Sequence, residues 1–164
     1  FCWKCACYEI LASCGTSSSR ANQIVAMQSP NSDCSNLTAM STFNQVITII
    51  DKSLFEHELP IMIGVHHVNK KKNEKGECIG WVEKCSGNTP NITNHYVVIV
   101  GKKYDSDKKM YYYRFYDVGS KNYGKNLENR LYIYSNVIKG NTKYIIYNDY
   151  FTLTEVRKNN GKTY

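Results

Sequence analysis

Hydrophobic and polar positions change period near the middle of this chain. From Cys2 to Cys14 the spacing is helical, with Ala6, Ile10 and Cys14 on one face and Tyr8 and Leu11 beside it. Gly15 stands where a C′ glycine would stop that helix, and Thr16-Ser17-Ser18-Ser19 follows as loop. The stretch 22–41 is polar and shows no clear period. A second helix is predicted from near Thr42. Thr42 and Gln45 have the T-x-x-Q spacing of a capping box, Val46, Ile47, Ile50, Leu54 and Phe55 form an apolar stripe, and Pro60 ends it. From there the period is that of strands. Ile61-Met62-Ile63-Gly64-Val65 reads as a short buried strand, residues 69–94 as a long polar insertion with Gly76, Gly80, Gly87 and Pro90, and His95 to Gly101 as the strongest strand. Asp105-Ser106-Asp107 signals a hairpin into an aromatic strand from Met110 to Asp117, and segments near 131–134, 143–147 and 151–157 read as further strands. Helices first and antiparallel strands afterwards predict an α+β fold, N-terminal helices packed on an antiparallel β-sheet.

Composition narrows the class. A length of 164 residues with 42% hydrophobic and 21% charged residues predicts one globular domain over 1–164. The 14 tyrosines suit strands, where rings pair across a sheet. No apolar run reaches the length of a membrane span, so none is expected. The chain opens on Phe1, which predicts a processed product or an excised piece of something longer. Its net charge of +7 favours anionic surroundings. The lysines are scattered, however, and Lys70, Lys71 and Lys72 fall in the polar insertion, so a solvated surface is expected and no nucleic-acid partner.

Seven cysteines raise the question of chemistry. Cys2 opens the first predicted helix, where unpaired N–H groups and the positive dipole end stabilise a thiolate. Cys5, Cys7 and Cys14 lie deeper and read as small packed hydrophobes. A metal site would need four converging ligands, and Cys7, two residues beyond Cys5, points away from it; neither metal nor cofactor is expected. Cys78 and Cys85 bracket a short loop that a disulfide could close in an oxidising compartment; a reduced chain would leave both free. A thiolate needs a base. His95 begins the strongest strand and can face a cleft, whereas His57 reads as solvated and His66 and His67 point to opposite sides, with either a surface role or one of them in the cleft. A base needs an orienting group. If the strands at 95–101 and 110–117 are antiparallel neighbours, the end of the second lies beside the start of the first, which puts Asp117 next to His95.

Three segments together carry a resemblance. Cys2-Trp3 opening a helix, Asn94-His95-Tyr96-Val97-Val98-Ile99-Val100-Gly101, and Tyr116-Asp117-Val118-Gly119 resemble the papain-like cysteine hydrolases, and look similar to bacteriocin-processing peptidases and to papain-like toxins of interbacterial effectors. The resemblance implies a papain-like fold with Cys2 as nucleophile, His95 as general base and then acid, and Asp117 as the orienting group. Trp3, His67, Trp81 and Asn94 are the expected substrate contacts. The family's oxyanion glutamine, several residues before the nucleophile, has no counterpart ahead of Phe1, although the backbone N–H of Cys2 can supply one donor. The implied activity is that of a cysteine peptidase or amidase, an antibacterial effector toxin secreted or delivered into a target cell. Its substrate would be peptidoglycan peptides or a target-cell protein, and a cognate immunity (inhibitor) protein is a second expected partner. Two rival readings are a catalytically degenerate binding domain and a precursor-processing peptidase. The insertion 69–94 leaves the chain beside His66-His67 and returns into His95, so it is expected to border the cleft.

Overall fold

The alternating segments after residue 60 form strands that close on themselves. A computed structural model describes residues 23–27, 40–68, 70–72, 78–81, 93, 95–117, 128–141 and 150–158. In chain order these give β1 (Gln23–Ala26), α1 (Met40–Asp51), a π-helical turn (Lys52–Glu56), β2 (Ile61–Val68), β3 (Lys70–Lys72), β4 (Cys78–Trp81), β5 (His95–Asp105), β6 (Met110–Tyr116), β7 (Arg130–Ile133), β8 (Ile138–Asn141) and β9 (Tyr150–Lys158). Every pairing is antiparallel. β9 makes the closure. One edge pairs with β2; the other takes β8 along Tyr150–Thr152 and β1 along Glu155–Lys158. The ring β9-β2-β5-β6-β7-β8 is therefore a closed six-stranded barrel, and closure removes the unpaired edges that an open sheet must otherwise protect.

This overturns the expected α+β, papain-like arrangement of helices on an antiparallel sheet: the described residues are mostly strand and include one short α-helix. The physical reason lies in β9 and β8. A nine-residue strand is long enough to serve three partners, and Ile138–Asn141, which lacks a clean alternation, becomes a strand because β7 and β9 pair with it on both sides. The predicted helix at 2–14 and the predicted strand near 143–147 lie outside the described residues. The second helix starts earlier than expected, so Thr42 sits inside its first turn and the Thr42/Gln45 box does not cap it. Phe43 takes a buried place in the stripe beside Val46 and Ile50, while Phe55 is 62% exposed. Lys70–Lys72, expected in a loop, pairs with Cys78–Trp81 as a two-stranded ribbon. Among the described residues no helix is long and apolar enough to cross a membrane.

Two β-bulges set which side chains fill the barrel. Opposite the Gly64/Val65 step the register passes over Thr154, so Leu153 and Val156 both face inward. In β5 the register passes over Val100. Upstream of it Val97 and Ile99 face the core; downstream the phase reverses and Lys102 turns inward. There Lys102 Nζ meets Asp51 Oδ2 at 2.6 Å, and the buried Tyr113 hydroxyl donates to Asp51 Oδ1 at 2.8 Å. Asp51 closes α1, so one carboxylate ties the helix to the barrel whose core already holds Phe43, Val46 and Ile50. Burial, reinforced by the Asp51 carboxylate, holds the Tyr113 phenol far above its ordinary pKa. At the β5–β6 turn, Asp105 accepts hydrogen bonds from the amides of Asp107 and Lys108, both at 3.1 Å, from the Tyr132 hydroxyl at 2.7 Å and from Arg130 at 3.0 Å.

Three glycines differ in the room around them. A Cβ on Gly140 would lie 1.8 Å from the Arg130 carbonyl oxygen, which is backbone and cannot yield. On Gly64 it would meet Glu155 Cγ at 2.5 Å and Thr93 Cγ2 at 2.6 Å, which are side chains. On Gly101 it would meet nothing within 4 Å. Urea denaturation is therefore expected to rank the alanine variants: Gly140→Ala loses about 3 kcal/mol or more, Gly64→Ala about 1–3 kcal/mol, and Gly101→Ala stays within about 0.5 kcal/mol of wild type. Equal losses at Gly101 and Gly140 would contradict these strand contacts. The hydrogen bond from Tyr132, then the other donors, lowers the Asp105 pKa below its ordinary value. A depressed folded-state pKa gives stability that is present above the unfolded value, near about 3.9, and is lost as pH falls through the folded one. The melting-temperature gap between wild type and Asp105→Ala should hold at neutral pH and shrink in acid below about pH 4. A gap independent of pH would show that the Asp105 charge does not matter.

Candidate active site

His95 is the first residue of β5 and Asp117 follows the last residue of β6. On β6 the inward residues are Tyr113 and Phe115, so the alternation carries Asp117 to the core side. On β5 the inward residues upstream of the bulge are Ile99 and Val97, which carries His95 to the same side. Both side chains thus meet at one end of the barrel, above a floor of fully buried apolar residues. His95 Nε2 lies 2.7 Å from Asp117 Oδ1, with the two side chains 16% and 12% exposed. The carboxylate accepts from the Nε2–H, which fixes the ring tautomer and orientation and makes Nδ1 the nitrogen able to exchange a proton with another group. Partial drying strengthens this hydrogen bond.

Neighbouring elements hold the pair in place. The Phe151 ring of β9 stands 6.1 Å from the His95 ring and 5.2 Å from Phe115. Just ahead of β5, Thr93 Oγ1 shares a 2.6 Å hydrogen bond with Thr154 Oγ1, so the bulged residue of β9 anchors the approach to His95. On the opposite face of the sheet, Arg157 donates to the Tyr96 hydroxyl at 3.1 Å and lies 2.7 Å from Glu155 Oε1, slightly off the hydrogen-bond line. Gly64, between Glu155 and Tyr96 in register, leaves the gap that Glu155 crosses. Burial, ahead of the charged neighbours, raises the Tyr96 pKa.

The expected site residues divide three ways. His95 and Asp117 are brought together. Cys2, Trp3 and Asn94 lie outside the described residues. His67 and Trp81 are placed by their backbone alone: His67 opposite Phe151 on β9, and Trp81 opposite Lys70 at the base of the ribbon. His57 follows the π-helical turn half-buried, not fully solvated, and His66 is half-buried opposite Thr152. Phe151, Thr93 and Thr154 were not among the predicted contacts; only the alternation of Phe151, Leu153 and a threonine-rich strand hints at them. Among the described residues no three His, Cys, Asp or Glu side chains converge as a metal site would require.

No known protein family, no curated protein and no solved structure matches the chain.

The hydrogen bond to Asp117 makes a direct expectation for nitrogen-15 NMR of the imidazole. In wild type the His95 ring proton should sit on Nε2, downfield and protected from exchange, and Asp117→Ala should remove that signature with the strand amides unchanged. A ring proton on Nδ1, or one indifferent to Asp117→Ala, would rule the pairing out.

Proposed function

We propose that this chain is a cysteine-dependent amide hydrolase. The observation that supports it is the His95–Asp117 pair, a tautomer-fixed imidazole at the open end of a rigid barrel. Such a pair is the base-and-orienter half of a thiol hydrolase site, and Cys2, at the head of a predicted helix and followed by Trp3, is the nucleophile that the sequence offers. In the proposed cycle His95 Nδ1 takes the Cys2 thiol proton, and the thiolate attacks the amide carbonyl. The imidazolium, balanced by Asp117, returns the proton to the departing amine as the C–N bond breaks. Water, deprotonated by His95, then attacks the thioester and frees Cys2 and the acid product.

The chemistry proposed is that of the papain-like hydrolases, without their fold. A net charge of +7 supports a substrate embedded in anionic material, and peptidoglycan peptides fit this; a target-cell protein is the alternative substrate. In this reading the chain is an antibacterial effector domain, secreted or delivered, for which an inhibitor protein is an expected partner. The ribbon Lys70–Lys72 with Cys78–Trp81 follows β2 in the chain, and β2 ends opposite Tyr150 and Phe151; in this reading the ribbon belongs to an insertion that selects substrate.

Reactivity tests the nucleophile before any substrate is known. Iodoacetamide at about pH 6, where an ordinary thiol of pKa about 8.5 is protonated, should alkylate Cys2 ahead of Cys5, Cys7 and Cys14. His95→Ala should slow that reaction roughly tenfold or more, because the thiolate loses its cationic partner. On peptidoglycan fragments, Cys2→Ala and His95→Ala should each abolish amide cleavage as read by mass spectrometry, and the double variant should lose no more than either alone. A folded chain whose Cys2 reacts no faster than the other cysteines would leave the non-catalytic binding domain as the better reading.

A further inference from the structure

The outer face of the β5–β6–β7 sheet carries a second feature, on the opposite side of the same strands from the His95–Asp117 pair. Gly101, Arg114 and Arg130 are directly opposite one another in register, and a row of this kind shares one face. Arg114 lies between the inward-facing Tyr113 and Phe115, which sets that face as the outer one. Two guanidinium groups on adjacent strands repel unless something separates or neutralises them.

The other half-buried arginines among the described residues are compensated. Arg157 has Glu155 at 2.7 Å, and Arg130 has Asp105 at 3.0 Å while stacking over the Tyr112 ring at 4.7 Å. Arg130 thereby leans along the sheet towards the hairpin. Arg114 has no hydrogen bond or ion pair among the described residues, and its Nε is enclosed without an acceptor. On its other side stands Gly101, over which nothing lies within 4 Å of where a Cβ would be. Lys103, two residues on along the same face of β5, is exposed. An uncompensated guanidinium, a neighbouring ammonium and an open glycine make a cationic notch whose missing element is an oxygen acceptor with negative charge.

We propose that Gly101, Lys103 and Arg114 form an oxyanion-binding notch, a site for a phosphate or carboxylate group. Gly101 leaves the space, Arg114 supplies the donors that recognise two oxygens at once, Lys103 adds charge, and Arg130 stays with Asp105. The site is separate from the hydrolytic reading and does not depend on it.

The test is a titration of the nitrogen-15-labelled chain with sodium phosphate, and in a second arm with sodium acetate, sodium chloride keeping the ionic strength constant. Saturable shifts are expected at the Gly101 amide and at the Arg114 Nε–H, which enclosure should keep visible. Arg114→Gln should weaken the apparent affinity at least about tenfold, and Gly101→Leu, which fills the notch, should do the same. Lys108→Gln, at the hairpin over the Tyr132 ring, should leave it unchanged, and the unshifted spectrum of each variant shows that it is folded. Saturation in the phosphate arm or the acetate arm identifies which oxyanion the notch takes. Shifts that never saturate in either arm, or that keep their affinity in Arg114→Gln, overturn the proposal.

Discussion

One extra residue in β5 sets the chemistry of this barrel. β6 runs without a break in phase, so Tyr113, Phe115 and Asp117 all belong to its inward side. In β5, Lys102 lies opposite Tyr113 and shares that side. Counting back from Lys102 in steps of two would bring Val100, Val98 and Tyr96 inward and send His95 out, away from Asp117. The register passes over Val100 instead, and from there back the inward residues are Ile99, Val97 and His95. A single bulge therefore turns one strand to serve two polar contacts: the Lys102–Asp51 ion pair at one end and the His95–Asp117 hydrogen bond at the other.

The same bulge explains why the two ends differ. Lys102, Asp51 and Tyr113 join the helix to the barrel wall, and the Tyr113 hydroxyl has its acceptor in Asp51. A charge-assisted hydrogen bond of this kind contributes about 1.5–3 kcal/mol, enough to matter in a domain whose net stability is about 5–15 kcal/mol. The His95–Asp117 contact has a similar length but stands at a strand opening, beside a ring wall from β9. The floor below is fully apolar, and there desolvation would penalise any charged form of the pair more heavily.

What was legible in the sequence follows from what each signal measures. Alternation and turn residues mark strands, so β2, β5, β6, β7 and β9 and the hairpin at Asp105 could be read. The meeting of His95 and Asp117 was reached from hairpin topology alone. The bulge that makes it work was hidden, because Val97 to Val100 are all apolar and show no phase to reverse. Barrel closure was hidden for a different reason. It depends on β9 pairing with β2 on one edge and β8 on the other, and the β2 partner is a long-range fact that local period does not carry. The two short strands at Gln23–Ala26 and Ile138–Asn141 exist because β9 offers them an edge. For the same reason the helix-then-strand order points to α+β layers, whereas α1 delivers Phe43, Val46 and Ile50 to the core of a barrel.

The hairpin β5–β6 then has an inner and an outer chemistry of opposite logic. Inside, the histidine is hydrogen-bonded to its own carboxylate. Outside, Arg114 carries a charge that no neighbour among the described residues balances, next to a glycine that leaves space beside it. Moving either residue by one place in register would exchange the faces, so the β-bulge that brings His95 inward fixes which residues of β5 stand beside Arg114. Had the phase not reversed at Val100, the residues upstream would present His95 on the same outer surface as Arg114 and Arg130. There the imidazole would be parted from Asp117, whose side chain stays on the inner side. Separation of Arg114 from the His95–Asp117 pair by a sheet is thus a consequence of one residue's insertion, and it lets a basic face and a hydrogen-bonded histidine–carboxylate pair share one hairpin.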